Sequence, residues 1–199
     1  MSPTPPNGLL LAGGRSSRMR HDKATLSYDG QIQLERATKL LSQFCPNVHL
    51  SLRKNQNAPV ESLNLPIIAD AFGEIGPLGG ILSAFASKPE HAWLVLACDL
   101  PFLGEDTLKH LLEERDTKKL ATAYSSSHDG LPEPLCAIYE PSAARQLNHF
   151  FQEKKLLCPR KILMQTEPKL IDPLDQRALD NINTPEEYQN AVAEFFPQR

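Results

Sequence analysis

The sequence predicts an α/β fold of three layers, with helices on both faces of a mostly parallel sheet. Short apolar runs alternate with stretches whose apolar residues recur at helical spacing, as in strands joined by crossover helices. The best of these runs, "GLLLA" and "AWLVLAC", are apolar throughout, as strands covered on both faces require. The first ends at a glycine pair and the second at an acid, residues that suit the carboxyl edge of such a sheet, where ligands bind.

Residues 1–7 contain three prolines and read as a flexible leader, with one domain expected over 8–199. Gly8 to Ala12 is the first strand. Leu34, Ala37, Leu41 and Phe44 mark a helix from about Gln31 to Phe44. "NVHLSL" (Asn47 to Leu52) and "LPIIAD" (Leu65 to Asp70) are the next two strands. Gly76-Pro77 opens a helix, because proline at the first helical position gives up no needed donor. "HAWLVLACDLPF" is a buried strand ending at Asp99. Leu108, Leu111 and Leu112 define a helix over about Glu105 to Arg115. "KLATAYSS" and "EPLCAIYEP" are strands, Ala144, Leu147, Phe150 and Phe151 form a helix stripe, and "PRKILMQT" is a short helix. Thr184-Pro185-Glu186-Glu187 is a capping-box pattern that starts the last helix, through Tyr188, Val192 and Phe195.

The net charge of −3 gives no general attraction to nucleic acid, and no nucleic-acid partner is expected. No apolar run approaches the length of a membrane span, and the N-terminus lacks the basic and apolar regions of a signal peptide. The four cysteines, Cys45, Cys98, Cys136 and Cys158, form no C-x-x-C pair and read as reduced, buried thiols. A cytoplasmic protein with no membrane partner is expected.

Against this mildly acidic background, "LAGGRSSRMRHDKATL" gathers Arg15, Arg18, Arg20 and Lys23 behind Gly13 and Gly14. Glycines let backbone N–H groups approach an anion, and cations around them would hold a polyphosphate. Neither the P-loop nor G-x-G-x-x-G is present. A turn with solvated arginines is the competing reading. Asp70 and Asp99 end strands and could reach the same edge. Beside a polyphosphate they call for a cation, and Mg²⁺ is the natural one. Asp99 follows a fully apolar strand; its alternative role is a turn cap. Gly79 and Gly80 in "GPLGG" either leave room for a flat ring or allow close helix–sheet packing. The histidines show no zinc-type spacing, and no G-x-S-x-G elbow exists.

Together "LAGGRSSRMRHDKATL", "IADAFGEIGPLGGILSAF", "VLACDLPF" and "NINTPEEY" resemble the MobA family of molybdenum cofactor guanylyltransferases, within the nucleotidyltransferases. The resemblance spans nearly the whole chain. It implies a Rossmann-like nucleotidyltransferase fold that transfers GMP from GTP to molybdopterin carrying molybdenum, releasing pyrophosphate. It implies that Leu11, Ala12, Gly13 and Gly14 bind the nucleotide with Gly79 and Gly80. Arg18 and Lys23 would hold phosphates, Asp70 would lie at the nucleotide, and Asp99 would hold Mg²⁺. Asn181 and Asn183 would lie towards the acceptor. Molybdoenzyme maturation proteins are implied as partners. Arg20 stands where the family usually has glycine, and Leu52 and Arg53 stand where it often has asparagine, with Asn55 displaced. The same residues could also serve a cytidylyl- or sugar-nucleotidyltransferase, or a nucleotide-binding regulator without catalysis.

Overall fold

The apolar runs become neighbouring strands. The computed structural model describes residues 3–13, 27–28, 31–57, 63–73, 75–182 and 184–195. Its elements are β1 (Asn7–Leu11), β2 (Ser27–Tyr28), β3 (Gln31–Ile32), α1 (Gln33–Ser42), β4 (Val48–Leu52), β5 (Ile67–Ala69), α2 (Pro77–Ser87) and β6 (Trp93–Ala97). After them come α3 (Glu105–Glu113), β7 (Ala121–Ser125), β8 (Pro132–Tyr139), α4 (Ala143–Gln152), α5 (Pro159–Leu163), β9 (Lys169–Ile171) and α6 (Pro185–Phe195).

Among the described residues seven strands form one sheet in the order β5-β4-β1-β6-β8-β7-β9. Six of them run the same way, and β8 runs against β6 and β7. The sheet is therefore mixed and mostly parallel, as expected. Alternate residues of each strand feed two cores. Leu10, Leu50, Leu94, Leu96 and Ile138 meet α1 and α3 on one face. Leu9, Trp93, Val95, Ala137 and Tyr139 meet α2, α4 and α5 on the other. This two-sided burial is why the strands read as unbroken apolar runs.

Several boundaries differ from the sequence reading. β1 opens at Asn7 rather than Gly8, its N–H donating to the Ala92 carbonyl at 2.9 Å. The first helix starts at Gln33, because Gln31 and Ile32 pair with Tyr28 and Ser27 in a two-stranded hairpin. Ile32 has extended φ/ψ and is the N-cap. The short strand β9 has no counterpart in the sequence reading; it adds to β7 in parallel register at the sheet margin. Of the four thiols, Cys45, Cys98 and Cys136 are buried as expected, whereas Cys158 is exposed at the entry to α5. Burial pushes the Cys45 and Cys136 thiols up to about 12, which keeps them protonated and inert.

The capping box is present as read. The Thr184 Oγ1 accepts from the Glu187 N–H at 3.2 Å, and the Glu187 carboxylate accepts from the Thr184 N–H at 3.1 Å. α6 lies against the hairpin, where the Tyr188 hydroxyl donates to the Ser27 carbonyl at 2.8 Å. Among the described residues no helix is long and apolar enough to cross a membrane.

Candidate active site at the carboxyl edge of the sheet

Strand order fixes where a ligand would bind. The chain leaves β1 towards β4 on one side and leaves β6 towards the β8–β7 side on the other, so the connections diverge between β1 and β6. A crevice opens at such a divergence, outside the carboxyl ends of the strands. Leu11 and Ala97 are paired across it, and Gly13 and Asp99 each lie two residues beyond that pair. The Cys98 N–H donates to the Leu11 carbonyl at 3.3 Å and closes the two strand ends together. The glycine loop and the sharper of the two acids thus leave the sheet side by side.

Asp70 reaches the same edge from the other direction. Leu52 and Ala69 are paired, and the next residue, Asp70, donates its N–H to the Leu52 carbonyl at 2.8 Å. Its carboxylate accepts from the Phe72 N–H at 2.8 Å. The amino end of α2 is packed directly on this acid. A Cβ on Gly79 would meet the Asp70 carboxylate, whose carbon lies 2.8 Å away, and a Cβ on Gly80 would meet the Ser51 hydroxyl and, at 2.9 Å, Leu11. The helix enters as the sequence indicated, with Pro77 in its first turn after Gly76 at φ +71°. The paired glycines let α2 approach β1, β4 and β5; this is the close-packing role.

Two glutamines that no sequence motif marks fasten this edge. Gln56 donates from Nε2 to the Ala12 carbonyl at 3.1 Å, while its Oε1 accepts from the Arg53 N–H at 3.2 Å and the Arg53 Nε–H at 3.3 Å. It joins the exit of β4 to the start of the glycine loop. Gly13 lies close to this turn, so that a Cβ there would come within 3.2 Å of the Arg53 nitrogen. Asn55 has φ +65° in the same turn, which directs the chain back so that Gln56 can reach. Gln33, buried at the start of α1, donates to the Leu100 carbonyl at 3.1 Å and holds the turn after Asp99. Gln56 and Ala12 are 44 residues apart in sequence and Gln33 and Leu100 are 67 apart, and no local spacing signals either pair.

Asn181 is exposed on the segment that leads into α6, and the next residue, Ile182, donates its N–H to the Asp99 carbonyl at 3.2 Å. A pocket of about 390 Å³ opens here, lined among others by Phe102, His128, Arg177, Asp180 and Asn181. Asp99, Asp70 and Asn181 therefore belong to one edge. Gly14, Arg18, Lys23 and Asn183, and with them Arg15 and Arg20, lie outside the described residues.

Mg²⁺ takes few carboxylates and completes its shell with water and substrate phosphates. Among the described residues no group of three histidines, cysteines or acids could hold a metal. A single half-buried carboxylate, Asp99, beside a backbone loop is a donor set that fits a metal brought in with a polyphosphate.

The sequence profile of the MobA-like NTP transferase domain matches residues 8–169. The chain belongs to this family. As a MobA-like NTP transferase it is an enzyme of the nucleotidyltransferase class. It is 40% identical over 190 residues to the molybdenum cofactor biosynthesis bifunctional protein of Synechocystis, a match covering 94% of this chain and 54% of that protein. The chain thus spans about half the length of that relative. It is 31% identical over 191 residues to a probable molybdenum cofactor guanylyltransferase of Chloroflexus aggregans, covering 91% and 90% of the two chains. Its fold is that of molybdopterin-guanine dinucleotide biosynthesis protein A from Archaeoglobus fulgidus, with a TM-score of 0.77 at 24% identity over 94% and 97% of the chains.

Proposed function

We propose that this MobA-like enzyme transfers GMP from GTP to the terminal phosphate of molybdopterin carrying molybdenum. The observation that carries the reading is the placement of Gly13 and Asp99 two residues past the paired Leu11 and Ala97, at the divergence of the strand order. The relatives named as molybdenum cofactor guanylyltransferases support the choice of base and acceptor. An oxygen of the acceptor phosphate attacks the α-phosphorus of GTP in line with the bridge to the β-phosphate. That bridging bond breaks, and pyrophosphate leaves with its electron pair. The attacking oxygen is already anionic, so no strong general base is required.

In this reading the loop of Leu11, Ala12, Gly13 and Gly14 binds the nucleotide beyond the strand end, where the Ala12 N–H already donates to the Ser51 carbonyl. Asp70, with the amino end of α2 that carries Gly79 and Gly80, lies at the nucleotide's other end. Arg18 and Lys23 offset charge on the triphosphate. Asp99 would hold Mg²⁺, which when bound would neutralise charge on the phosphate oxygens. Asn181, which lines the pocket that contains Phe102 and Arg177, and with it Asn183 receive the acceptor. Preorganised charge and orientation supply most of the catalysis in such transfers. Reduced thiols fit a cytoplasmic setting, where molybdoenzyme maturation proteins would take the product.

The test is pyrophosphate release with molybdopterin and Mg²⁺, comparing GTP, CTP and ATP. Release with GTP is expected, release with CTP alone would place the chain among cytidylyltransferases, and binding without release would make it a regulator. Asp99→Ala should abolish nearly all turnover. Lys23→Ala should lower kcat/KM by about 1.5–3 kcal/mol of transition-state binding, the range for a hydrogen bond to a charged group. Wild-type rates in Asp99→Ala would remove that carboxylate from the mechanism.

A further inference from the structure

The segment from Asp175 to Ile182 has no regular secondary structure, yet it is fastened on three sides. Arg177 lies over the ring of Phe102, its guanidinium carbon 4.4 Å from the centroid. The turn after β7 holds it from a second side, where Ser127 Oγ donates to the Gln176 carbonyl at 3.1 Å and His128 Nε2 lies 3.3 Å from Asp180 Oδ1. On the third side Ile182 donates its N–H to the main-chain carbonyl of Asp99 at 3.2 Å. Phe102 is itself on the turn that leaves Asp99, and Ile182 is buried against Phe102 in the small core under α6. A closed ring of contacts therefore runs from Asp99 along the chain to Phe102, across to Arg177, and back through Ile182 to Asp99.

We infer that Arg177 and Phe102 are positioning residues for Asp99. Resting on the function proposed above, the inference is that the cation over the ring holds the 175–182 segment in register. The Ile182 N–H then fixes the Asp99 peptide, and with it the direction from which the carboxylate meets a metal–triphosphate. The same segment carries Asn181, so acceptor side and metal side are mechanically one piece. Arg177 is about half exposed, and its guanidinium also lies 3.6 Å from Asp180. Its contribution is geometric and does not require contact with the substrate.

The experiment compares Arg177→Ala, Arg177→Lys, Phe102→Leu and the double variant Arg177→Ala/Phe102→Leu with Asp99→Ala. Two readouts are taken: kcat and the KM for GTP, and Mn²⁺ affinity by electron paramagnetic resonance with a non-hydrolysable GTP analogue. Arg177→Ala should lower kcat about two- to fivefold, the population shift that a partly exposed cation–π contact can carry, with KM for metal-bound GTP raised by no more than the same factor. Mn²⁺ affinity should fall by a similar factor. Arg177→Lys, which keeps a cation over the ring, should recover most of both losses, and the double variant should be no worse than Arg177→Ala. Equal losses in Arg177→Ala and Arg177→Lys, additive losses in the double variant, or wild-type Mn²⁺ affinity and kcat in Arg177→Ala would each overturn the inference. If Asp99→Ala itself kept full Mn²⁺ affinity, the role given to Asp99 would fail instead.

Discussion

Gly79 shows how much one missing methyl group decides. Its neighbour is the Asp70 carboxylate, the end of a short side chain that the Phe72 N–H holds in place. Gly79→Ala should therefore displace Asp70 or lift the amino end of α2, costing about 1–3 kcal/mol, as overpacking does elsewhere. Urea unfolding should show the loss as a lower midpoint, and the KM for GTP should rise if Asp70 lies at the nucleotide as proposed. An unchanged midpoint and KM would mean that α2 absorbs the methyl group without moving the acid. The sequence marked both residues, but as separate features: an acid ending one strand and a glycine pair opening a helix. That they touch depends on β5 lying beside β4, a pairing that the three-residue strand Ile67–Ala69 does not announce.

At the scale of elements, the last helix was the most legible and the hairpin the least. Thr184 and Glu187 satisfy each other's backbone N–H groups, a local arrangement that four consecutive residues specify. Thr184→Ala should cost about 1 kcal/mol, read as a shift in the denaturation midpoint at unchanged m-value. No shift would mean that the tertiary contacts of α6 hold its first turn without the cap. The hairpin of β2 and β3 has two-residue strands, too short for an alternation of polar and apolar residues to show. Ile32 has the apolar character expected of the helix stripe, so periodicity alone extends α1 back through it. The direction of β8 was equally hidden, since an apolar run buried on both faces reads the same in parallel and antiparallel sheets.

The whole molecule is held by buried polar pairs as well as by its two cores. Arg115 makes a two-pronged ion pair with Glu140, at 2.7 and 2.9 Å, and also donates to the Thr4 carbonyl at 2.7 Å. It ties the chain's first described residues to the ends of α3 and β8. At the opposite margin of the sheet from the active edge, His49 is buried edge-on against Trp93, and its Nε2 accepts from the Lys88 ammonium at 3.1 Å. Burial first, and then the charge of Lys88, hold the His49 imidazole below its ordinary value. Between that lowered value and about 6.5 the unfolded chain binds more protons than the folded one, so stability rises with pH across this window. This contribution is complete above about pH 6.5 and is lost as the pH falls below it. Urea midpoints at pH 7.5 and 5.5 should therefore differ more for the wild type than for His49→Gln, which keeps an acceptor for Lys88. Equal differences would show that His49 does not set the slope.

By itself the sequence determined the class of fold, the family, and the identity of the acids and glycines at the strand ends. Those features are local: a run of apolar residues, a glycine where a chain turns, a cap within four residues. The tertiary structure decided which of them meet. Gln56 on Ala12, Gln33 on the turn after Asp99, and Ile182 on Asp99 itself join residues far apart in the chain. Such contacts arise from strand order and helix placement, which depend on how whole apolar faces are buried together, and residue spacing does not encode them.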